Sequence, residues 1–167
     1  MATNDSGAAQ PSLQLRVLVV DDNVDGAQAL SALLTTMGCT TAVAYDGALG
    51  LAKAVSFVPH LALIDLEMPD MSGCDLVRHL KTNRALGSVR LVCLTGRGQP
   101  EDRLLCIEAG FDDFFTKPMR PESLMKVVSA ANTRLWQTSP ETTASALPSP
   151  AAGKAHVADM STALRGS

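Results

Sequence analysis

Five short apolar segments alternate with five segments of helical periodicity, and this predicts an α/β fold: a doubly wound, five-stranded parallel sheet with helices on both faces. Two observations carry the expectation. The strand-like runs are continuous and aliphatic, as strands buried on both faces require. The runs also stop at polar residues: Asp21-Asp22 after the first, Asp65 after the third, Thr95 after the fourth and Thr116-Lys117-Pro118 after the fifth.

In chain order, residues 16–20 (RVLVV) form a β-branched strand ended by Asp21-Asp22-Asn23. Residues 24–37 carry Ala27, Leu30, Leu33, Leu34 and Met37 at helical spacing, and Gly38 supplies the stop. A second strand is expected over 40–45. A second helix follows over 46–58, capped by Asp46. The third strand, 61–64, runs into Asp65. The turn-rich stretch Met68-Pro69-Asp70-Met71-Ser72-Gly73 then leads into a helix over 74–81. Residues 90–94 and 100–109 read as the fourth strand and helix. Residues 112–116 are the fifth strand. The last helix, 121–136, holds Leu124, Val127, Val128, Ala131 and Leu135 on one face.

The folded unit is expected over residues 14–137. Residues 1–13 are small, polar and aperiodic, and read as a disordered leader. Residues 138–167 read as a flexible tail, because Ala, Ser, Thr, Pro and Gly make up 21 of those 30 residues. With 14 basic and 17 acidic residues the net charge is −3, and no basic block forms a nucleic-acid footprint. No apolar run reaches the roughly 18 residues of a membrane span, and nothing resembles a secretory signal. Cys39, Cys74, Cys93 and Cys106 lie 35, 19 and 13 residues apart, without zinc or redox spacing. They read as reduced, core-filling thiols of a cytoplasmic protein.

In a doubly wound sheet ligands sit at the carboxyl ends of the strands, so Asp21, Asp22, Asp65, Thr95 and Lys117 are expected at one rim. Three adjacent carboxylates repel unless something positive neutralises them. Oxygen ligands without His or Cys favour Mg²⁺ (or Mn²⁺), held through one or two carboxylates. With a lysine and a hydroxyl beside it, such a rim suits a phosphoryl group attached to one carboxylate.

Four motifs extend this reading: Val19-Val20-Asp21-Asp22-Asn23, the run from Ile64-Asp65-Leu66-Glu67 to Ser72-Gly73, Leu94-Thr95-Gly96, and Thr116-Lys117-Pro118. In order and spacing, residues 16–134 resemble the receiver domain of a two-component response regulator, a flavodoxin-like fold. The stretch from Leu94 to Asp113 is similar to receivers attached to hybrid histidine kinases. The resemblance implies that Asp65 accepts a phosphoryl group from the phosphohistidine of a histidine kinase or histidine phosphotransfer protein. It implies that Asp22 binds Mg²⁺ directly, Asp21 through water and Glu67 by its backbone carbonyl. Lys117 would pair with Asp65 and then with the phosphoryl oxygens, Thr95 would move toward the phosphoryl group, and Pro118 would follow a cis peptide. An unknown output protein would read the face of the fourth helix, fifth strand and fifth helix, on a monomer or weak homodimer. Neither nucleic acid nor membrane is expected as a partner. A free-standing, single-domain regulator is the favoured form, slowly autodephosphorylating rather than an enzyme acting on other substrates.

Departures from the family pattern are specific. Phe114 stands where many receivers carry the aromatic that turns with the threonine, and it has no hydroxyl. Gly96 replaces a commoner alanine and leaves its loop more pliable. Glu67 and Arg97, each two residues past a motif position, are expected to pair over the site and tune the lifetime of the phosphorylated state. Gly96-x-Gly98 lacks the third glycine of a dinucleotide loop. His60 and His79 read as surface residues, Asp112-Asp113 as a solvated strand entrance, and Arg78, Lys81 and Arg84 as exposed helix charges. Two rivals share these residues: a pseudo-receiver that binds without phosphorylation, and an aspartyl-phosphate phosphatase of the haloacid-dehalogenase type.

Overall fold

The computed structural model describes residues 14–138. Strands β1 (Arg16–Val20), β2 (Thr40–Ala44), β3 (Leu61–Asp65), β4 (Arg90–Thr95) and β5 (Asp113–Thr116) alternate with helices α1 (Val24–Thr36), α2 (Gly47–Phe57), α3 (Gly73–Thr82), α4 (Pro100–Ala109) and α5 (Pro121–Thr138). The strands form one sheet in the order β2-β1-β3-β4-β5, every neighbouring pair parallel. The chain leaves β1 toward one edge and returns to β3 on its other side. That reversal opens the crevice at the carboxyl ends.

The aliphatic strands serve both faces at once, because successive side chains point to opposite sides. Leu18, Val20, Ala62, Ile64, Leu91 and Cys93 pack under Ala54 of α2, Leu76, Val77 and Leu80 of α3, and Cys106 and Ala109 of α4. Val17, Val19, Leu61, Leu63, Val92 and Leu94 pack under Ala27 and Leu34 of α1 and Leu124, Val127, Val128 and Ala131 of α5. All four cysteines are buried, free thiols.

Side-chain caps fix where the helices start. Asn23 accepts from the Gly26 amide at 3.0 Å, Asp46 from the Leu49 amide at 2.6 Å, and Ser72 from the Asp75 amide at 3.2 Å. Helix α4 differs: Gln99 makes no side-chain cap, and the helix opens on Pro100. Helix α1 stops at Thr36, and Gly38 takes the left-handed conformation (φ 83°) that ends the helix.

The structure corrects several sequence expectations. A single 3₁₀ turn, Arg84–Leu86, follows α3; Arg84 sits on it, exposed, rather than on a helix. Asp112-Asp113 is a solvated entrance, with Asp112 exposed and Asp113 half-buried, and it is also a tether. Asp112 Oδ2 accepts from the Leu91 amide at 2.7 Å, and Asp113 Oδ2 takes two bonds from Arg90, at 3.0 Å and 2.5 Å. His60 is half-buried, its Nδ1 accepting from the Arg16 amide at 3.0 Å. Helix α5 reaches Thr138, one residue into the stretch read as tail; the leader and the rest of that tail lie outside the described residues. Among the described residues no helix is long and apolar enough to cross a membrane.

Candidate functional site

Each rim residue stands at the end of an element whose interior is held by the core. Strand β1 delivers Asp21, 5% exposed, and its backbone amide continues the ladder to the Ala44 carbonyl at 3.0 Å. The next residue, Asp22, turns outward and is exposed. Asn23, which caps α1, also donates its amide to Asp21 Oδ1 at 3.0 Å, so one short turn both starts the helix and fixes the carboxylate. Asp65 closes β3, buried to 5%, and Thr95 closes β4 fully buried.

Lys117 reaches in from the end of β5. Its Nζ lies 2.7 Å from Asp21 Oδ2 and 3.1 Å from Asp65 Oδ1, and the peptide joining it to Pro118 is cis. Carboxylate oxygens of Asp21, Asp22 and Asp65 all lie within 4.8 Å of one another. Burial pushes the Asp65 carboxyl above the ordinary range, against the pull of Lys117, and the Asp21 charge adds to the rise. Burial alone would lower Lys117. Its hydrogen bonds to Asp21 and Asp65 outweigh that effect, so its affinity for the proton is raised and it stays charged.

The remaining expected residues are placed as follows. Thr95 Oγ1 donates to the Arg97 carbonyl at 2.9 Å and accepts the Arg97 amide at 3.1 Å, which turns its hydroxyl toward the β4–α4 loop. Arg97 Nε lies 3.6 Å from Glu67 Oε1, with both side chains largely in solvent. Phe114 is half-buried against the α4 side of the core, and Pro118 is exposed. Asp21, Asp22, Asp65 and Lys117 therefore meet at one point. Glu67 and Arg97 pair with each other in solvent, and Phe114 lies apart, on the α4 side of the core.

Two features of the site escaped the sequence reading. A β-carbon on Gly73 would fall 2.2 Å from the Asp65 carbonyl oxygen, so the start of α3 is pressed against the end of β3. The motif contained Gly73, but only the fold shows what it must avoid. An apolar groove of about 470 Å³ also opens beside Lys117, lined by Ala29, Leu30 and Leu33 of α1 and by Met119. In sequence its traces were Leu30 and Leu33, which the helical pattern assigned to the core face.

The fold and rim define a doubly wound α/β domain with three carboxylates and one lysine at the switch point of its sheet. Residues 17–129 match the model of the response regulator receiver domain, and the chain belongs to that family. Such domains are signalling phosphoacceptors of two-component systems, which work with histidine kinases. The chain is similar to the DNA-binding response regulator MtrA of Mycobacterium tuberculosis, 38% identical over 119 residues, 71% of this chain and 51% of that protein. It is also 34% identical to the hybrid signal transduction histidine kinase L of Dictyostelium discoideum, over 68% of this chain and 7% of that one. It therefore spans about half the length of the first relatives it matches. Among solved structures, the chemotaxis protein CheY4 of Vibrio cholerae matches with a TM-score of 0.67 at 28% identity, covering 71% of this chain and 98% of that chain.

Proposed function

We propose that this chain accepts a phosphoryl group on the Asp65 carboxylate from a phosphohistidine and signals as the phosphorylated form. The observation that carries this reading is the position of Lys117. It sits between Asp21 and Asp65, at hydrogen-bond distance from both, on a rim where Asp65 is buried and held. An Asp65 oxygen attacks phosphorus in line with the phosphorus–nitrogen bond. That bond breaks, the imidazole leaves with the electron pair, and an acyl phosphate remains. Lys117, freed from the Asp65 oxygen that becomes bonded to phosphorus, turns its charge to the transferred oxygens. The Thr95 hydroxyl leaves the Arg97 backbone to donate to them.

The residues present fit a hard divalent cation. Among the described residues three carboxylates, all oxygen ligands, converge there beside the Lys117 ammonium, which suits a hard cation. Asp22 and Asp65 would hold Mg²⁺ or Mn²⁺ directly, Asp21 through water and Glu67 by its carbonyl. When bound, the cation draws charge from the phosphoryl oxygens and lowers the repulsion felt by the attacking carboxylate.

The apolar groove beside Lys117 supports delivery by a protein, a histidine kinase or histidine phosphotransfer protein. Leu104, Leu105 and Ile107 of α4 and Met125 of α5, all exposed, support a protein that reads the opposite side of the site. The test is incubation with acetyl phosphate and Mg²⁺, followed by intact mass. The expected result is a gain of one phosphoryl group, lost in Asp65→Asn. No gain supports a pseudo-receiver, and multiple-turnover hydrolysis of small phosphoesters supports a phosphatase; either overturns the reading.

A further inference from the structure

Three of the four cysteines meet in the core beneath α4. Cys93 comes from β4, Cys106 from α4 and Cys74 from the first turn of α3. Cys93 Sγ and Cys106 Sγ lie 2.9 Å apart with both thiols free, and Cys74 Sγ donates to the Leu105 carbonyl at 3.8 Å. A disulfide requires about 2.05 Å between sulfurs, so the two must approach by a further ~0.9 Å to bond. Cys106 lines a cleft of about 260 Å³ between α4 and β5, together with Arg103, Phe111 and Phe114. Cys106 is only 1% exposed, so a peroxide reaches it when the cleft over it opens.

We propose that Cys93 and Cys106 form an oxidisable dithiol that a small peroxide, entering through the α4–β5 cleft, converts to a disulfide. Cys106 sulfur attacks one oxygen of hydrogen peroxide and the oxygen–oxygen bond breaks. The expelled hydroxide leaves as water with the Cys106 proton, and Cys106 becomes a sulfenic acid. Cys93 sulfur then attacks that sulfur, and the sulfur–oxygen bond breaks. The second hydroxide leaves as water with the Cys93 proton. Two thiols lose two electrons in all, and one peroxide becomes two waters.

Geometry selects this pair among the thiols. Cys106 alone of the thiols lines the cleft, and its Sγ lies 2.9 Å from Cys93; Cys74, also beside Cys106, turns its Sγ to the Leu105 carbonyl, and Cys39 belongs to the opposite face of the sheet. Burial holds the Cys106 thiol above its usual range while its contact with Cys93 pulls the other way, so the reaction follows opening of the cleft and is slow. The bond would fasten α4, which has no side-chain cap at its start, to the strand that ends at Thr95. Oxidation thus fixes the same helix that carries the exposed Leu104, Leu105 and Ile107, the surface proposed above for an output protein.

The experiment uses the full reduced chain and hydrogen peroxide itself, quenched and alkylated before intact mass and peptide mapping. Two hydrogens should be lost, with residues 93 and 106 cross-linked and Cys39 and Cys74 still alkylated. Dithiothreitol should reverse the change. Cys106→Ala should retain all three of its remaining thiols, while Cys39→Ala should still form the cross-link. The mapping of the unaltered chain decides the matter even where a core variant fails to fold. Four alkylatable thiols after peroxide that fully oxidises dithiothreitol in the same buffer, a cross-link between another pair, or one that forms only in denaturant would each overturn the proposal. None of these readouts needs acetyl phosphate, so failure here leaves the phosphoacceptor reading standing and the reverse also holds.

Discussion

Gly73 is pressed so closely against Asp65 that a β-carbon there would lie 2.2 Å from the Asp65 carbonyl oxygen and 3.1 Å from the Leu66 Cα. The obstacle is backbone in the β3–α3 connection, which also receives the Gly73 amide at the Leu66 carbonyl, 3.0 Å away. Flexible side chains can yield, but this strand end cannot yield without moving Asp65. Gly73→Ala should therefore cost about 3 kcal/mol of stability and reduce phosphoryl acceptance on the fraction that folds. Gly26→Ala, where a β-carbon meets only the Asn23 side chain at 3.4 Å, should be neutral or gain up to about 1 kcal/mol. Urea midpoints compare the two. Equal midpoints would refute the steric argument.

Asp22 allows the proposed cation binding to be tested apart from folding, because it is exposed while Asp21 and Asp65 are buried. Any ligand held only by the folded state adds stability in proportion to the logarithm of its concentration. At ten times its dissociation constant, Mg²⁺ should add about 1.4 kcal/mol. Asp22→Asn should remove most of that increment and leave the stability in EDTA nearly unchanged. Thermal melts of both proteins across a magnesium series measure it, and an equal increment in the variant would exclude Asp22 as a ligand.

The sheet and most of the rim were legible in sequence for one reason. Continuous aliphatic runs reveal buried parallel strands, and the residue after each run must then sit at the carboxyl edge. Asp21, Asp65, Thr95 and Lys117 all follow from that rule. Features made by tertiary contact were hidden. Asp112 looked like any acidic residue before a strand, and only the pairing of β4 with β5 brings it to the Leu91 amide. The short Arg84–Leu86 turn lacks both the length and the periodicity that mark a helix. Cys74, Cys93 and Cys106 carry no spacing signal, because a βα crossover and two helices packed side by side bring them together.

Arg97 and Glu67 give a case in which geometry and energy diverge. They form a charge pair 3.6 Å apart on the loops that follow Asp65 and Thr95, yet the side chains are 71% and 54% exposed. Exposed pairs contribute little to folding. Arg97→Ala should accordingly leave the urea midpoint within about 0.5 kcal/mol of the parent. The acyl phosphate, no longer covered on that side, should decay several-fold faster. Decay of the phosphorylated mass after removal of acetyl phosphate measures this. An unchanged decay rate would show that the pair does not govern access of water.

His60 links folding to pH through a bond that only the neutral ring can make. Its Nδ1 accepts the Arg16 amide at 3.0 Å, and its own amide donates to the Arg16 carbonyl at 2.9 Å, which extends the β1–β3 pairing by one rung. Protonation would turn that acceptor into a donor facing an N–H. Burial, and then the nearby Arg16 charge, hold the imidazole below its usual value of 6.5. As the pH falls through about 6.5, the unfolded chain takes up a proton that the folded ring resists, so unfolding gains. The loss grows until the pH passes below the depressed folded value and then levels off. Arg16 makes the position consequential, because its guanidinium caps the end of α2 through the Val58 carbonyl at 2.7 Å. His60→Asn keeps an acceptor and removes the titration, so between about pH 7.5 and 5.5 its urea midpoint should fall less than that of the parent. Parallel midpoint curves for the two proteins would show that His60 does not supply this pH dependence.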